Sequence, residues 1–452
     1  MLLPDALMAL DLPPDIAARV SFDGSDRLPS CFAVTELASA SIAAACLAVS
    51  ELVACISAAP DISVNNRLAS LWFGMTIQPQ GWALSAAWDT LAGDYQARDG
   101  WIKLHTNAPH HRAAVLSVLG CAPTREAVVE TVARWDSDRL EQDVVQAGGC
   151  AARLRSRAEW RDHPQGKAVN LEPLIVTDDS ASPVPMATSW QPSAIRPLAG
   201  LRVLDLTRVL AGPVATRFLA GYGAEVLRID PPGWDEPGVV PEVTPGKRCA
   251  RLDLRDPMSR NVFERLLAGA DILVHGYRPD ALDRLGYDAA TRRAIRPGLV
   301  DVSLDAYGQT GPWHLRRGFD SLVQFSTGIA DAGRQWRKTA APVSLPVQAL
   351  DHATGYLMAA AAVRGILARQ RGEACPRYRL SLARTAEWLW SAGTSSSESR
   401  FSEPMATDFC AVAEQTHWGK AFRILPPASI AGSPMQWSRP AGPLGSAAAE
   451  WQ

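Results

Sequence analysis

The sequence has no pair of cysteines at the C-x-x-C spacing that zinc modules and dithiol redox sites use. Its eight cysteines are scattered over 452 residues, so we expect reduced thiols in a cytoplasmic protein without a metal site. The N-terminus has no basic residue before Arg19, which argues against a signal peptide. The apolar run Ala38–Ser50 is only 13 residues long, too short to cross a bilayer, and predicts a buried helix.

An excess of charge of either sign is also lacking. The net charge is −2, so no global field indicates a nucleic acid or a membrane surface as a partner. Hydrophobic residues make up 47% and charged residues 20%, which is usual for a soluble globular chain. Because a single core rarely holds 452 residues, we expect two or three domains.

Two nucleotide-binding fingerprints are missing. The loop Thr207–Pro213 follows a predicted strand but lacks the G-x-G-x-x-G pattern of dinucleotide sites. Gly246 and Lys247 are followed by Arg248, whereas a P-loop needs Ser or Thr at that position. The sequence therefore argues against an NAD site and against an NTPase site of these types.

A regular alternation of strands and helices is present after residue 198. Strands are predicted at Arg202–Leu206, Glu225–Ile229, Asp271–His275 and Leu299–Ser303, with helices at Val214–Gly221 and Pro257–Ala268. This rhythm predicts an α/β fold with a Rossmann-like parallel sheet covered on both faces. Such sheets bind ligands at the carboxyl ends of their strands.

Changes in composition divide the chain into five parts. They are an N-terminal helical segment (1–66), a smaller Trp-rich α+β domain (67–176), a linker rich in Ser, Pro and Asp (177–197), the Rossmann-like domain (198–394) and a Ser/Pro/Ala-rich tail (395–452). The linker is indicated by its turn-forming residues. The composition of the tail predicts poor packing.

Asp351 is the most informative single residue, because it is a carboxylate at the start of an apolar, small-residue helix predicted over His352–Arg369. It fits a nucleophile held away from water, with its charge favoured by the helix N-terminus. It also fits an N-cap, the commoner role, and the residues alone favour this second interpretation. His352 is interpreted as a packing or capping residue, since neighbours on a helix point about 100° apart.

Two groups of side chains suggest binding sites. Four basic residues in loops after predicted strands are Lys247, Arg248, Arg278 and Arg284. Each alone fits ordinary surface charge, but together they fit a site for a polyanion such as a nucleotide diphosphate. The histidine cluster comprises His105, His110 and His111. Without a third ligand type, the cluster is interpreted as a solvated loop and not as a metal site.

Ordered motifs after residue 198 resemble the class III CoA-transferase family, which also includes the α-methylacyl-CoA racemases. The motifs are Val203–Pro213, Gly223–Pro232, Gly246–Leu254, Asp271–Pro279, Leu282–Gly286, Tyr307–Pro312, Gly318–Asp320 and Leu350–Gly355. The resemblance implies a CoA-binding domain in an interlocked homodimer. It also implies an acyl-CoA and a carboxylic acid as substrates, with no permanently bound cofactor.

By this resemblance Asp351 matches the family's catalytic aspartate. It would attack the acyl-CoA thioester to give a mixed anhydride, and the returning CoA would then form an aspartyl-CoA thioester. The positions that match CoA contacts are Leu210, Ala211, Lys247, Gly276, Tyr277, Arg278, Arg284, Leu285 and Arg317. Gly276 departs from the family, which usually has Asn there, so one side-chain contact to CoA is missing.

Two other functions stay open. The family's racemases carry His in the Gly-x-Asp motif, where this chain has Phe319, so a transferase is favoured over a racemase. A catalytically inactive CoA-binding protein is the second alternative. It is suggested by the domain order, since residues 67–175 resemble the family's smaller domain, which normally follows the CoA-binding domain. The chain is therefore expected to have a rearranged order.

Overall fold

The computed structural model describes residues 2–178, 190–395 and 401–452. Most of the predicted linker, residues 179–189, lies outside the described residues, as do residues 396–400 of the predicted tail. The described ranges form a seven-stranded central sheet, three smaller three-stranded sheets and the helices around them.

The described N-terminal residues, 2–66, which were predicted as a helical segment, are part of the main core. Their elements are α1 (Leu2–Ala9), β1 (Val20–Asp23), α2 (Val34–Val53), β2 (Ile62–Asn65), α3 (Asn66–Trp72) and β3 (Ile77–Pro79). The Ala-rich α2 packs along the helix Ala349–Gln370, which is also rich in small residues. Small side chains let the axes of two helices approach closely, so this pairing holds the N-terminal residues against the middle of the chain.

Helix α2 has 20 residues and is long and apolar enough to span a bilayer. The argument that the run Ala38–Ser50 is too short is therefore wrong. Nevertheless, 89% of the most apolar part of α2 is buried inside the protein. The predicted buried helix is confirmed, because of its packing and not because of its length.

A small α+β unit follows, with its own hydrophobic core. Its elements are β4 (Gly93–Gln96), β5 (Trp101–Leu104), α4 (Pro109–Leu119), α5 (Arg125–Val132), α6 (Ser137–Gln146) and β6 (Ala151–Arg153), followed by α7 (Arg157–Asp162) and α8 (Pro164–Leu171). Its strands form an antiparallel sheet in the order β4-β5-β6. The core of the unit begins near Leu91 and not at residue 67, because α3 belongs to the main core and β3 pairs with a C-terminal strand.

The central sheet carries the loops that form the candidate site. Its strands are β7 (Val176–Thr177), β8 (Arg202–Leu206), β9 (Glu225–Asp230), β10 (Lys247–Arg251), β11 (Ile272–His275), β12 (Val300–Asp305) and β13 (Tyr378–Ser381). Their order is β10-β9-β8-β11-β12-β13-β7, and every neighbouring pair is parallel except β13 and β7. The helices among and after these strands are α9 (Ala211–Gly221), α10 (Val240–Val243), α11 (Pro257–Ala268), α12 (Ala281–Arg284), α13 (Ala289–Ile295), α14 (Asp320–Ser326), α15 (Ile329–Arg337), α16 (Ala349–Gln370) and α17 (Leu382–Ser391). The predicted parallel sheet of an α/β fold is confirmed.

The prediction of a loop at Lys247 and Arg248 is wrong, because both residues lie in β10, paired with β9. Their charges disguise the strand, since a buried parallel strand normally reads as a continuous apolar run. The Lys247 ammonium lies 3.2 Å from the Asp205 carboxylate of β8, and Arg248 donates to the carbonyl of Glu450 at 2.6 Å. These partners allow two charged residues in a buried strand.

The described C-terminal residues are well packed, so the prediction of a poorly packed tail is also wrong. They form β14 (Glu414–Thr416), β15 (Gly419–Arg423) and β16 (Ala428–Ile430). Strand β15 pairs with β3 and β16 pairs with β2, which completes two sheets begun by N-terminal strands. The buried Glu242 adds polar links, since it accepts from Thr76 and is paired with Arg217 and Arg423. Strands of three to five residues are too short to show a clear period in the sequence.

Candidate active site

A cavity of about 370 Å³ lies at the carboxyl ends of the central strands. Loops after β8, β9 and β11, the end of β12 and the first turn of α16 form its walls, together with two histidines from α4 of the small unit. The polar and aromatic residues that line it are His110, His111, Arg208, Trp234, Tyr277, Arg278, Asp305, Arg316, Arg317, Phe319 and Asp351. This is where a parallel sheet is expected to bind a ligand.

Asp351 reaches the cavity from the first turn of α16. The helix begins at Ala349 with Gln348 as its N-cap residue, so the alternative prediction of Asp351 as the N-cap is wrong. The backbone N–H of Asp351 donates to Oδ2 of Asp320 at 2.9 Å, and the residue is 9% exposed. Burial and the adjacent Asp320 charge raise the pKa of the Asp351 carboxyl well above its ordinary value.

The helix that carries Asp351 lies very close to the loop after β8. A Cβ atom placed on Gly355 would stand 2.4 Å from the carbonyl oxygen of Ala211. Glycine is needed there because it has no side chain to meet that oxygen. The contact places Asp351 beside Leu210 and Ala211, which line the same cavity.

Asp320 of α14 supports the turn that contains Asp351. Its fully buried carboxylate accepts the N–H of Asp351 and a hydrogen bond from the Gln324 amide. The amide oxygen of Gln324 in turn accepts from the N–H of Leu345 at 2.7 Å, which connects α14 to the segment before α16. Burial raises the pKa of Asp320 to about 6. Adjacent carboxyl groups with raised pKa values at a cavity are typical of functional sites.

Four arginines line the cavity, and two of them have acidic partners. Arg316 lies 2.9 Å from the Glu141 carboxylate of α6, which is also paired with the buried Arg155. Arg278 lies 4.0 Å from Asp280. The charge of Arg316 is therefore balanced only in part, because Arg316 shares the Glu141 carboxylate with Arg155, and that of Arg278 is balanced only weakly.

Arg208 and Arg317 differ, because neither makes an ion pair with any residue in the described ranges. The Arg208 guanidinium lies 4.5 Å from the centre of the Trp234 ring and 5.0 Å from that of the Tyr277 ring. Arg317 donates to the carbonyl of Gly148 at 2.9 Å. Guanidinium groups without acidic partners at a cavity fit an anionic ligand.

Most of the predicted CoA contacts lie at this cavity. Those that line it are Leu210, Ala211, Gly276, Tyr277, Arg278 and Arg317. Lys247, Arg284 and Leu285 do not line it. The side chain of Arg284 is 66% exposed and paired with Asp280, and Leu285 packs against the hydrophobic cluster around Phe263.

Lys247 lies between β8 and the first turns of α9 and not in the cavity. Its side chain is fully buried, and Nζ donates to Asp205 at 3.2 Å, to Thr216 Oγ1 at 2.6 Å and to the Pro213 carbonyl at 2.9 Å. Burial lowers the pKa of Lys247 to about 8. Lys247 therefore links β8 to the start of α9. Of the four cations predicted to converge on one site, only Arg278 lines the cavity.

The histidine cluster is not the solvated loop that was predicted, because two of its members are buried in the cavity wall. His105 is 5% and His111 is 4% exposed, and His105 stacks on Phe319 with ring centroids 3.7 Å apart. Burial lowers the pKa of His105 to about 4 and that of His111 to about 3, so both rings are neutral at pH 7. His352 is also buried and stacks on Phe73 at 5.1 Å, which confirms its packing role.

Sequence reasoning missed Arg208, Trp234, Asp305 and His111 as cavity residues. Arg208 could have been found, because it directly follows a predicted strand of the sheet. No sequence signal brought His111 to this place, since it belongs to the small unit. Burial raises the pKa of Asp305 to about 7, and its carboxylate accepts from the N–H of Gly308 at 2.6 Å.

A model of a known protein family matches the part of the chain that forms most of this cavity. Residues 198–414 match the family described as CoA-transferase family III. Succinyl-CoA:glutarate CoA-transferase of Mus musculus is 34% identical over 191 residues, which covers 39% of this chain and 43% of the relative. An acyl-CoA transferase of Gibberella moniliformis is 28% identical over 302 residues, which covers 61% of this chain and 52% of the relative. The chain spans about half the length of the curated relatives it matches.

One further relative and one solved structure also match only part of this chain. Acetyl-CoA:oxalate CoA-transferase of Acetobacter aceti is 35% identical over 145 residues, covering 29% of this chain and 37% of the relative. The crystal structure of a hypothetical protein from Mycobacterium tuberculosis is 28% identical with a TM-score of 0.40, covering 44% of this chain and 58% of that chain. The part of the chain that matches CoA-transferase family III, residues 198–414, includes Asp351 and most of the residues that line the cavity.

Proposed function

We propose that this protein transfers CoA from an acyl-CoA thioester to a carboxylic acid, with Asp351 as the nucleophile. The observation that carries the proposal is the position of the Asp351 carboxylate in a cavity that also contains Arg208 and Arg317, which have no acidic partners among the described residues. An acyl-CoA combines an electrophilic thioester with anionic phosphates at its far end. The buried nucleophile suits the thioester end of such a molecule, and the guanidinium groups without acidic partners suit its phosphates.

The proposed reaction has four steps that conserve all atoms and charges. A carboxylate oxygen of Asp351 attacks the thioester carbonyl, and the C–S bond breaks to give a mixed anhydride and CoA thiolate. The thiolate attacks the aspartyl carbonyl, releases the first acid as a carboxylate and leaves an aspartyl-CoA thioester. The acceptor carboxylate attacks this thioester, and its C–S bond breaks to release CoA thiolate and leave a second mixed anhydride. The thiolate then attacks the acceptor's acyl carbonyl, so the new acyl-CoA departs and Asp351 is regenerated.

Burial of Asp351 supports this role. A carboxylate is a weak nucleophile in water, and removal of water raises its basicity and therefore its reactivity once it is ionised. The adjacent Asp320 charge acts in the same direction on the Asp351 pKa. Because attack needs the ionised form, the rate of acyl-enzyme formation is expected to rise with pH through the Asp351 pKa.

Mass spectrometry of the protein after incubation with a panel of acyl-CoAs tests the proposal. We expect an acyl or CoA adduct on the peptide that contains Asp351, and conversion of that adduct to a hydroxamate by hydroxylamine. Asp351→Ala should give no adduct and no turnover while still binding CoA. Arg284→Ala is the matched control and should still form the adduct, since Arg284 lies outside the cavity. Turnover by Asp351→Ala would remove Asp351 from the nucleophile role.

The racemase alternative is less well supported, because the cavity presents the Phe319 ring, which cannot exchange a proton, at the motif position where the family's racemases have His. Incubation of a chiral 2-methylacyl-CoA in deuterated water distinguishes the two functions. We expect no deuterium at the α-carbon in the absence of an acceptor acid. Exchange without an acceptor would favour the racemase.

We also propose that two copies of the chain form a homodimer. A second proposal is that the small unit precedes the CoA-binding part because the domain order is rearranged. The exposed Trp88 supports the first point, since it is 45% exposed next to His105 of the cavity wall. Analytical ultracentrifugation of the full chain tests the assembly. A monomer at micromolar concentration would contradict it.

A further inference from the structure

The loop between β8 and α9 has a strained backbone at the cavity. It supplies four of the residues that line the cavity, which are Arg208, Val209, Leu210 and Ala211. Val209 has a φ of 62°, in the left-handed region, where a β-branched side chain is unfavourable. A residue keeps such a conformation only where the surrounding structure imposes it. Contacts from outside the loop must therefore hold Val209 in this position.

Glu236, in the loop after β9, provides such a contact. Its Oε2 atom accepts the backbone N–H of Val209 at 2.8 Å and the indole N–H of Trp234 at 3.3 Å. Its Oε1 atom accepts from the guanidinium of Arg228, and the Glu236 side chain is only 8% exposed. Arg228 is fully buried and is also paired with Asp230. The Glu236 carboxylate is therefore fixed at both oxygens, and hydrogen bonds to an ionised acceptor are among the stronger kinds.

The same arrangement leaves the charge of Arg208 available to a ligand. The Arg208 guanidinium contacts the rings of Trp234 and Tyr277 and has no acidic partner in the described ranges. Glu236 also bonds to the Trp234 ring, but its own charge is balanced by Arg228. The position of Arg208 therefore depends on a backbone and a ring that both contact Glu236, while its charge stays unpaired.

We infer that Glu236 is a positioning residue, whose hydrogen bond to Val209 maintains the loop conformation that presents Arg208 to the phosphates of an acyl-CoA. Glu236 itself does not line the cavity, so it acts through the loop. Without this bond, the strain at Val209 favours other conformations of the loop, and the binding-competent one is populated only in part. This inference rests on the proposed function, because it takes an acyl-CoA as the ligand. It goes further by assigning a role to a residue outside the cavity.

A double-mutant cycle between Glu236 and Val209 tests this role. Glu236→Ala should weaken CoA binding to the full chain by about tenfold or more, measured by calorimetry, because the N–H of Val209 loses its acceptor. Val209→Gly removes the strain, since glycine adopts a positive φ readily. In the Val209→Gly background, the same Glu236→Ala change should therefore weaken CoA binding by about threefold or less.

Two further variants control for losses of stability. Glu236→Asp keeps the negative charge beside Arg228 but is too short to keep both the Arg228 and the Val209 contacts. It takes the place of Glu236→Ala in the cycle if that variant does not fold. Glu242 is likewise a buried carboxylate paired with arginine, but it does not line the cavity. CoA affinity should therefore stay within about twofold in Glu242→Ala, since this site is separate from the loop.

The outcomes separate this inference from the proposed function. If Glu236→Ala binds CoA as tightly as the wild-type protein, or loses the same factor of affinity in both backgrounds, Glu236 has no positioning role and the inference is overturned. An adduct on Asp351 in the wild-type protein would in both cases still support the proposed function. If the wild-type protein binds no CoA and forms no adduct, the proposed function fails, and the inference fails with it.

Discussion

Replacement of Lys247 by Met separates what the family resemblance implies from what the structure places at this position. The resemblance makes Lys247 a CoA contact, whereas the structure buries its ammonium between β8 and the start of α9. Lys247→Met keeps most of the apolar chain but removes three hydrogen bonds. It also leaves the buried Asp205 carboxylate without its cation.

The expected cost follows from that burial. Both partners of the Lys247–Asp205 pair have fully buried side chains, and removal of one partner from such a pair typically costs about 3–5 kcal/mol. We therefore expect Lys247→Met to unfold at a clearly lower urea concentration than the wild-type protein, with unfolding measured by tryptophan fluorescence. CoA affinity, measured by calorimetry where the variant is still folded, should stay within about threefold, since no atom of Lys247 lines the cavity.

A double variant provides the control. Lys247→Met combined with Asp205→Asn leaves no unpaired buried charge, so it should be more stable than Lys247→Met alone. Together with Asp205→Asn and the wild-type protein, these variants form a double-mutant cycle that measures the coupling of the pair. The reasoning fails if Lys247→Met unfolds at the wild-type urea concentration while CoA affinity falls by an order of magnitude. That result would make Lys247 a ligand contact, as the resemblance implies.

Other predictions concern the two carboxyl groups and the cationic residues. Asp320→Asn removes a negative charge next to Asp351 and so lowers the Asp351 pKa. The rising limb of the pH–rate profile should therefore move to lower pH. A limb at the wild-type pH would contradict this coupling. The pKa of Asp320 is raised from 3.8 to about 6 on folding, so this residue destabilises the folded protein as pH rises from about 4 to about 6. The urea midpoint should therefore fall less across this pH range in Asp320→Asn than in the wild-type protein. Arg317→Ala should weaken CoA binding by about tenfold or more, whereas Arg284→Ala should change it by less than about twofold; equal losses in calorimetry would contradict the cavity assignment.

The central sheet could be predicted where strand and helix patterns are local. The strand Arg202–Leu206 and the helix Pro257–Ala268 have the predicted bounds, because an apolar run and a proline at the first helical turn are properties of consecutive residues. β10 could not be predicted, since its Lys and Arg are compatible with a strand only once their partners are in place. The short strand β15 likewise depends on pairing with β3, which lies more than three hundred residues earlier.

Some residues of the candidate site could likewise be predicted from the sequence, and others could not. The sequence indicated Asp351 at the start of a predicted helix, and the family resemblance indicated the loop residues Leu210 and Tyr277. It did not indicate that Asp320 contacts the Asp351 backbone or that His111 lines the same cavity. Those neighbours come from separate elements, and their proximity is a result of packing.

The sequence by itself determined the α/β rhythm, the carboxylate at the start of the long small-residue helix and the motifs of a CoA-transferase. All of these are carried by the order of neighbouring residues. Only the tertiary structure decided that Lys247 is buried between β8 and α9, that the described C-terminal residues complete two sheets, and that His111 reaches the cavity from the small unit. The physical reason is that burial, strand partners and charge compensation depend on residues that meet in space although they are far apart along the chain.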